Sequence, residues 1–450
     1  MKRMKIGIAS FIAMAAWCLV LGAPIELRIN QTIDANSPNL GLPIQPGVCH
    51  YLIFVPSSDS PLGWANHDVR MLRLGNRMVL WWTSHLGDEN GPGQTLAATV
   101  IPFDEVTGTP QRLDKLRFSR IVPTPLPERR RTWDFSSEVI DEVFCHGRLC
   151  LRGDSLWLDG NLTAFHGVSD EYAEYVKGRL PGTPPAPAEH YREKHDAQTG
   201  FVNEYEWILA KFHQRWRLDD DHLLPDSPPY MAFSCPRQIE VIPGRFKQIA
   251  SLPNEWYQFP LLSAASEEFR RMLKNAPNSD RAICADNRVP KCRKGLHTAA
   301  DGRNGLAHYT DYLCPDGTAI CIRDNLKNPG FYYAAEKQPG ETAYPPAEIT
   351  NLPGEAMAAA GNLPDGRAFI ICNYDYRRNL YIALSRDGRV FDTARFILRI
   401  NRKFQPGIGK FNRKTGPHYP RAMVVGNKLW ITYSIGKEQI GLTTIELSAL

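Results

Sequence analysis

Short apolar runs alternate with polar turn sequences between residues 354 and 400. The apolar runs are 356–361, 368–372, 380–384 and 395–400. The first turn, 363–367, reads LPDGR and has Pro and Gly at positions that favour a turn. Four short apolar runs with turn residues between them are typical of a four-stranded antiparallel sheet. This stretch therefore predicts one blade of a β-propeller.

The same alternation recurs along most of the chain. Further blade candidates cover 66 to about 122, 138–165, 204 to about 253, 306 to about 349, and 421–447. Together with 354–400, they predict an all-β fold, namely a six-bladed β-propeller built from four-stranded antiparallel blades.

The last blade candidate shows only three clear strands. Because a closed propeller leaves no exposed edge strand, we expect the alternating segment 25–29 to complete this blade. Residues 24–450 are then expected to form a single propeller domain.

Two stretches interrupt the blade pattern. Residues 166–203 are rich in Pro and charged side chains and predict a polar insertion. Residues 263–304 predict a short insertion of helix and loop, with a helix over 263–275. Ser263 or Ser266 can cap this helix, and acidic residues follow in its first turn.

The N-terminus has the pattern of a secretory signal peptide over residues 1–23. A basic start precedes an apolar run, and small residues follow. No later segment approaches the roughly 20 apolar residues of a membrane span. We therefore expect a secreted or periplasmic protein with no stable membrane span after removal of the signal.

Net charge limits the possible binding partners, and the cysteine count limits the possible disulfides. Loss of Lys2, Arg3 and Lys5 with the signal lowers the formal net charge from +5 to +2, which argues against a nucleic-acid partner. Nine cysteines remain, so at least one has no intramolecular disulfide partner. Three pairs could close short loops in an exported protein: Cys145 with Cys150, Cys284 with Cys292, and Cys314 with Cys321.

The sequence demands neither a metal nor another cofactor. It contains no Cys-x-x-Cys pair, so a zinc ribbon is not expected. His190 and His195 lie in the polar insertion, where a solvated loop explains them better than a metal site does.

The geometry of a blade indicates where a site should lie. In a four-stranded blade, the entry to the first strand and the loop between strands two and three share one face. The longer polar loops collect on that face and bring carboxylates, arginines and aromatic side chains together. The candidates are His67, Asp68, Arg70, Glu89, His308, Tyr309, Arg323, Asp324, Glu355, Tyr374, His418, Tyr419, Arg421 and Lys437. This composition suits an anionic or polyhydroxyl ligand such as a glycan.

One turn carries a more specific pattern. Ser385, Asp387, Gly388 and Phe391 follow the spacing Ser-x-Asp-Gly-x-x-Phe. The Asp is expected to accept backbone N–H groups, Gly to adopt a conformation that other residues resist, and Phe to pack beneath the turn. The pattern resembles the Asp-box of sialidases and other BNR-repeat propellers.

Further stretches extend this resemblance to the sialidase-like propeller superfamily. They are His67 with 80–100, 314–325, 361–373, 380–392 and 419–440. The resemblance covers the first blade and the last third of the chain. It implies a six-bladed propeller and an exo-α-sialidase-like glycoside hydrolase that removes terminal sugars.

The resemblance also implies roles for some candidates. Sialidases bind the substrate carboxylate with three arginines and use a Tyr nucleophile supported by a Glu, with an Asp as acid/base. Arg70, Arg323 and Arg421 are candidates for the clamp, although the Phe-Arg-Ile-Pro motif of its first arginine is absent. Tyr419 or Tyr433 could be the nucleophile, with Glu89 or Glu355 as support.

We assign Asp68, Glu89, Asp324 and Tyr419 as candidate catalytic residues. The candidate substrate-binding residues are His67, Arg70, Arg323, Tyr374, His418, Arg421 and Lys437. Two alternatives stay open: a non-catalytic glycan-binding propeller, and a polysaccharide lyase or glycosidase that uses His67 or His418 as acid/base.

Overall fold

The structure of this protein is a computed structural model. It describes residues 25–57, 62–85, 95–121, 133–135, 138–166, 206–234, 238–242, 245–248, 260, 262–275, 306–325, 330–400 and 416–450. The predicted signal peptide, most of the polar insertion and the loop after the predicted helix lie outside these residues.

The described residues form strands β1 to β26 and helix α1. The strands up to residue 166 are β1 Arg28–Ile29, β2 Val48–Phe54, β3 Ala65–Leu74, β4 Arg77–His85, β5 Thr95–Pro102, β6 Phe118–Ile121, β7 Trp133–Phe135, β8 Glu138–Arg152 and β9 Ser155–His166. The next are β10 Glu206–Asp219, β11 His222–Pro225, β12 Tyr230–Ser234, β13 Gln238–Ile242 and β14 Arg245–Gln248, followed by α1 Glu267–Asn275. The last are β15 Leu306–Leu313, β16 Ala319–Asn325, β17 Gly330–Lys337, β18 Glu348–Gly354, β19 Ala359–Asn362, β20 Ala368–Tyr374, β21 Asn379–Ser385, β22 Val390–Phe391, β23 Thr393–Arg399, β24 Pro417–Val425, β25 Lys428–Ile435 and β26 Gln439–Glu446.

The chain divides into two compact units. Unit 1 comprises the described residues of Met1–Pro43, Ala285–Asp375 and Tyr381–Phe396, and unit 2 those of Ile44–Cys284, Tyr376–Leu380 and Ile397–Leu450. Several sheets are four-stranded and antiparallel, as the sequence predicts: β3-β4-β5-β6 and β2-β26-β25-β24 in unit 2, and β19-β20-β21-β23, which lies largely in unit 1.

The blade predicted over 354–400 is confirmed as the sheet β19-β20-β21-β23. Its second and third strands are buried along nearly their whole length, which explains their apolar sequences. The turn before β22 has the expected hydrogen bonds. Asp387 Oδ1 accepts the amides of Arg389 and Val390, each at 2.8 Å, and Gly388 has φ 76°. Phe391 is fully buried.

The strand that completes the last blade differs from our prediction. β2, not segment 25–29, pairs antiparallel with β26, from Val48 opposite Ile445 to Phe54 opposite Ile440. Arg28 in β1 instead pairs in parallel with β18 and β22 within unit 1. The two-residue β1 can offer few backbone hydrogen bonds, whereas the seven-residue β2 covers most of the β26 edge.

The predicted start of the third blade, at residue 204, is also wrong. β10 pairs with β9 over Glu206 to Trp216, so it belongs to the sheet β11-β10-β9-β8-β7, with β12 alongside β10. The rest of that candidate is the hairpin β13-β14. The long polar insertion suggested a blade boundary, but the entropy of closing a loop rises only slowly with its length. Two long strands can therefore pair across it.

The predicted helix is confirmed as α1. The hydroxyl of Ser266 accepts the amide of Phe269 at 3.1 Å, so Ser266 rather than Ser263 is the cap. Phe269 packs edge-on against Trp157 and Tyr230, with ring centroids 4.7 Å apart in both pairs. No helix in the described part of the chain is long and apolar enough to cross a membrane.

The possible disulfide between Cys314 and Cys321 is not formed. Both thiols are free and buried, as is that of Cys372, whereas Cys49 is free and exposed. Burial raises the pKa of Cys314 to about 11 and that of Cys321 to about 12. The other possible pairs involve residues whose side chains lie outside the described part of the structure.

Candidate functional site

Two strands of unit 2 carry the same irregularity near their starts. The pairing of β3 with β4 shifts within HDVR, 67–70, and the pairing of β24 with β25 shifts within HYPR, 418–421. In each bulge the second residue has a left-handed backbone, with φ 54° at Asp68 and 53° at Tyr419. A bulge redirects a side chain, and left-handed non-glycine residues concentrate at functional sites.

The two bulges meet at the carboxylate of Asp68. Its Oδ2 accepts Nη2 of Arg70 at 2.6 Å and Nε at 3.2 Å, and its Oδ1 accepts Nη2 of Arg421 at 3.0 Å. The guanidinium of Arg70 also lies 5.0 Å from the ring centre of Trp81. Charge-assisted hydrogen bonds with this geometry hold side chains in one orientation. Asp68 thus positions two arginines from different strands.

Tyr419 lies among cationic and imidazole groups. The guanidinium of Arg377 and the ammonium of Lys437 each lie 5.7 Å from its ring centre. The rings of His67 and His418 are each centred 6.1 Å from it. Cations at these distances are attracted to the face of an aromatic ring. Two cationic side chains therefore flank the ring of Tyr419.

One contact defines the proton position on His418. Nη1 of Arg377 lies 3.2 Å from Nδ1 of His418, which is fully buried. A guanidinium can only donate, so Nδ1 must accept and the neutral ring carries its proton on Nε2. His418 is therefore an acceptor for Arg377 and a support for the site.

Asn66 connects the start of β3 to the loop after β25. Its backbone N–H donates to the carbonyl of Lys437 at 2.8 Å, and its side-chain Nδ2 donates to the carbonyl of Glu438 at 3.1 Å. Nε1 of Trp82 donates to Asn66 Oδ1 at 2.9 Å. These contacts fix the loop that carries Lys437, because Asn66 is fully buried and connects it to a core tryptophan.

Sequence reasoning missed Arg377. Asp375, Tyr376 and Arg377 have three successive left-handed backbones, with φ between 56° and 62°. Each such non-glycine residue costs about 1–3 kcal/mol unless its surroundings stabilise it. The only signal was the pair of arginines at 377 and 378 in a polar segment. The left-handed turn at 375–377 places Arg377 near the ring of Tyr419.

Unit 1 holds a second group of predicted site residues. Arg323 is fully buried, its guanidinium lies 5.5 Å from the ring centre of Tyr309, and burial lowers its pKa. Asp324, also buried, accepts Nδ1 of His308 on Oδ2 at 3.3 Å. The other oxygen, Oδ1, has no hydrogen-bond donor among the described residues.

Tyr374 is suited to hydrogen bonding rather than to nucleophilic attack. Its partial burial raises the pKa of the phenol, and the carboxylates of Glu355 and Asp375 raise it further. The group therefore stays a neutral O–H donor over the physiological pH range, as a sugar-binding residue requires.

Tyr433 is part of the core of its sheet. It is 3% exposed, its hydroxyl lies 3.0 Å from Oγ1 of Thr443, and burial raises its pKa to about 12. Because it is buried, Tyr433 is unsuited to act as a nucleophile. Tyr419 is therefore the candidate nucleophile in unit 2.

The structure brings most of the predicted site residues into two groups. The group in unit 2 contains His67, Asp68, Arg70, His418, Tyr419, Arg421 and Lys437. The group in unit 1 contains Arg323 and Asp324 on β16, and Tyr374 on β20 lies near Glu355 and Asp375. Glu89 lies outside the described residues. Within the described part of the chain, no cluster of three or more His, Cys, Asp or Glu side chains could hold a metal ion.

Solved structures show similarity to this chain. A solved structure described as a sialidase has a TM-score of 0.54 and 13% identity, over 93% of this chain and 35% of that one. A protein of unknown function from Dyadobacter fermentans has a TM-score of 0.45 and 13% identity, over 89% of this chain and 99% of that one. Trypanosoma rangeli sialidase in complex with the inhibitor DANA has a TM-score of 0.44 and 6% identity, over 89% of this chain and 60% of that one.

No protein-family model matches the chain, and no curated protein matches it. The structural likeness establishes the fold class: this chain has a sialidase-like β-propeller fold. It spans 35% of the length of the sialidase with the TM-score of 0.54.

Proposed function

We propose that this chain is an exported glycoside hydrolase that removes terminal acidic sugars from glycans. One observation carries the proposal: Arg70 and Arg421 converge on one carboxylate beside Tyr419, which Arg377 and Lys437 flank. Four cationic side chains surround one carboxylate and one phenol. Such a group suits a ligand that combines negative charge with hydroxyl groups.

The roles follow the sialidase-like chemistry that the resemblance implies. Arg70 and Arg421 would bind the acidic group of the sugar. Tyr419 would lose its phenolic proton to solvent and attack the anomeric carbon, while the bond to the departing sugar oxygen breaks and that oxygen takes a proton from solvent. Water would then hydrolyse the covalent glycosyl intermediate and return a proton to Tyr419. Arg377 and Lys437 would hold the phenol in place. Export would follow from the predicted signal peptide.

A glycan-binding propeller without catalysis is the second candidate. Asp68 is engaged by two arginines, and a carboxylate held in this way is a poor proton donor. The same group could therefore bind an acidic sugar without cleaving it.

Activity of the exported protein on a panel of chromogenic glycosides, including an α-sialoside, tests the proposal. We would compare the unchanged protein with Arg421→Lys, Arg323→Ala and the control Arg73→Ala. Arg73 lies on the same strand as Arg70, but its side chain is exposed. Arg421→Lys keeps the charge and loses the planar fork.

Each outcome separates the candidates. Release from the sialoside that falls in Arg421→Lys but not in Arg73→Ala supports the proposal. Unchanged turnover in Arg323→Ala removes Arg323 from the site. Activity on a different glycoside alone keeps the hydrolase class and changes the sugar. Glycan binding without any turnover favours the binding propeller.

A further inference from the structure

A third bulge occurs in β15 of unit 1. The pairing of β15 with β16 shifts between Leu306, opposite Asn325, and Tyr309, opposite Arg323. Two residues of β15 therefore face one residue of β16, as in the bulges of β3 and β24. The shared register makes the three bulges comparable position by position.

The comparison shows a difference in chemistry at one pair of positions. In β3 and β4 the pair is Val69 and Trp82, both fully buried. In β24 and β25 it is Pro420 and Tyr433, both buried. In β15 and β16 the pair is His308 and Asp324. A buried pair without charge is thus replaced by an imidazole and a carboxylate.

The replacement is unfavourable for folding alone. Taking a carboxylate out of water costs free energy unless hydrogen bonds compensate. The Asp324 side chain has no exposed surface, and one of its two oxygens has no donor among the described residues. A site that sacrifices stability in this way is a functional candidate.

We propose that His308 and Asp324 form a proton-transfer dyad, in which His308 is the catalytic base and Asp324 is a positioning residue. In this dyad the carboxylate of Asp324 is the acceptor, so Nδ1 of His308 carries the hydrogen that points to Oδ2 at 3.3 Å. The basic nitrogen is then Nε2. The His308 side chain is 32% exposed, so a glycoside or a water molecule can approach the ring.

The dyad rests on the proposed hydrolase function and gives that reaction a route other than attack by Tyr419, namely attack by water at a site within unit 1. Nε2 takes one proton from a water molecule as the water oxygen bonds to the anomeric carbon. The bond from this carbon to the departing oxygen breaks with its electron pair, and that oxygen takes a proton from solvent. His308 then releases its proton to solvent, so the net reaction is hydrolysis.

Two described groups near the dyad respond to the charge of Asp324. The negative charge of Asp324 acts on the pKa values of Arg323 in the same strand and Tyr332 in β17. Burial keeps the phenol of Tyr332 neutral by raising its pKa well above the ordinary value. Arg323 is therefore the charged neighbour that a pH profile must include.

The first experiment compares His308→Gly, Asp324→Asn and the control His222→Gln on the glycoside that the panel identifies. We expect His308→Gly to lose roughly 10²- to 10⁴-fold in kcat/KM, the usual contribution of a general base. Added imidazole should restore part of this loss, whereas a merely structural role would give no rescue. Asp324→Asn should lose less, because the base remains and only its positioning partner is removed. Wild-type turnover in His308→Gly would overturn the proposal.

A second experiment does not depend on activity. Nitrogen-15 NMR of histidine-labelled full chain reports which ring nitrogen of neutral His308 carries the proton. We expect Nδ1–H in the unchanged protein and loss of this preference in Asp324→Asn. An unchanged tautomer would overturn the dyad. If no glycoside is turned over at all, the hydrolase proposal and the catalytic role of His308 both fail, and this spectrum then decides only whether Asp324 positions the ring.

Discussion

The carboxylate of Asp68 lies 3.0 Å from Nη2 of Arg421, although 353 positions separate the two residues in sequence. The same carboxylate holds Arg70 at 2.6 Å. Both contacts lie at bulges that turn Asp68 and Tyr419 into left-handed conformations. One internal carboxylate therefore organises the arginines of the candidate site.

Replacing Asp68 with Asn should destabilise unit 2. The side chains of Arg421 and Arg70 are only 9% and 19% exposed, and they would lose their shared counter-charge. Breaking a fully buried pair costs about 3–5 kcal/mol. Partial exposure reduces this, so we expect a loss of about 1–3 kcal/mol in the free energy of unfolding. Urea denaturation measures it, with the exposed Asp114→Asn as the control. Equal midpoints for the two variants would contradict a structural role for the pair.

Two glycine substitutions should separate backbone strain from steric clash. Gly366 and Gly388 both have positive φ, 89° and 76°. A Cβ on Gly366 meets nothing within 4 Å, whereas one on Gly388 would lie 2.5 Å from Sγ of Cys314. We expect Gly366→Ala to lose about 1 kcal/mol and Gly388→Ala to lose clearly more. Thermal melts of both variants test this order, and similar melting temperatures would show that the turn relaxes around the added carbon.

Stability should depend on Asp159 in acid. Burial alone would raise the pKa of Asp159, but the hydrogen bond from His213 and the charges of His213, Arg152 and Arg148 outweigh it and lower the pKa to about 2. The thiol of Cys150 also faces this carboxylate. A folded-state pKa below the unfolded value stabilises the protein above pH 3.8, and this stability is lost as the pH falls towards 2.

The shift corresponds to about 2 kcal/mol, and Asp159→Asn should remove this part of the pH dependence. Denaturation curves at pH 5 and pH 3 measure the difference, with Asp154→Asn in the adjoining turn as the control. If both variants keep the slope of the unchanged protein, Asp159 is not the group responsible.

The thiols should differ sharply in reactivity. Cys49 is exposed, whereas Cys321 and Cys372 are fully buried and burial raises the pKa of each to about 12. Because the thiolate is the reactive species, we expect iodoacetamide at pH 8 to modify Cys49 in the native protein and the other two only after denaturation. Peptide mapping by mass spectrometry gives the sites. A cross-linked Cys314–Cys321 peptide in an unreduced digest would contradict the free thiols.

Local sequence patterns were sufficient for the blades with tight turns. Residues 354–400 form the predicted four-stranded sheet, and Asp387 makes the predicted turn contacts, because both depend on residues close together in sequence. The start of the third blade was wrong, since the pairing of β9 with β10 joins strands on either side of a long insertion.

The candidate site likewise combines features that the sequence predicted with one that it did not. The order of strands and loops within a blade predicted that His67, Asp68, Arg70, Tyr419 and Arg421 share one face, and unit 2 brings them together. Arg377 was not predicted, because its position depends on three left-handed residues. The surroundings stabilise these residues, and no local propensity favours them.

Residue pattern therefore established the all-β class, the turns and the kinds of side chain available for a site. Tertiary structure decided which edge β2 completes, which residue opposes each bulge, and whether a carboxylate meets a guanidinium or an imidazole. The reason is physical: propensity acts over a few residues, whereas strand pairing and burial of charge depend on groups hundreds of positions apart.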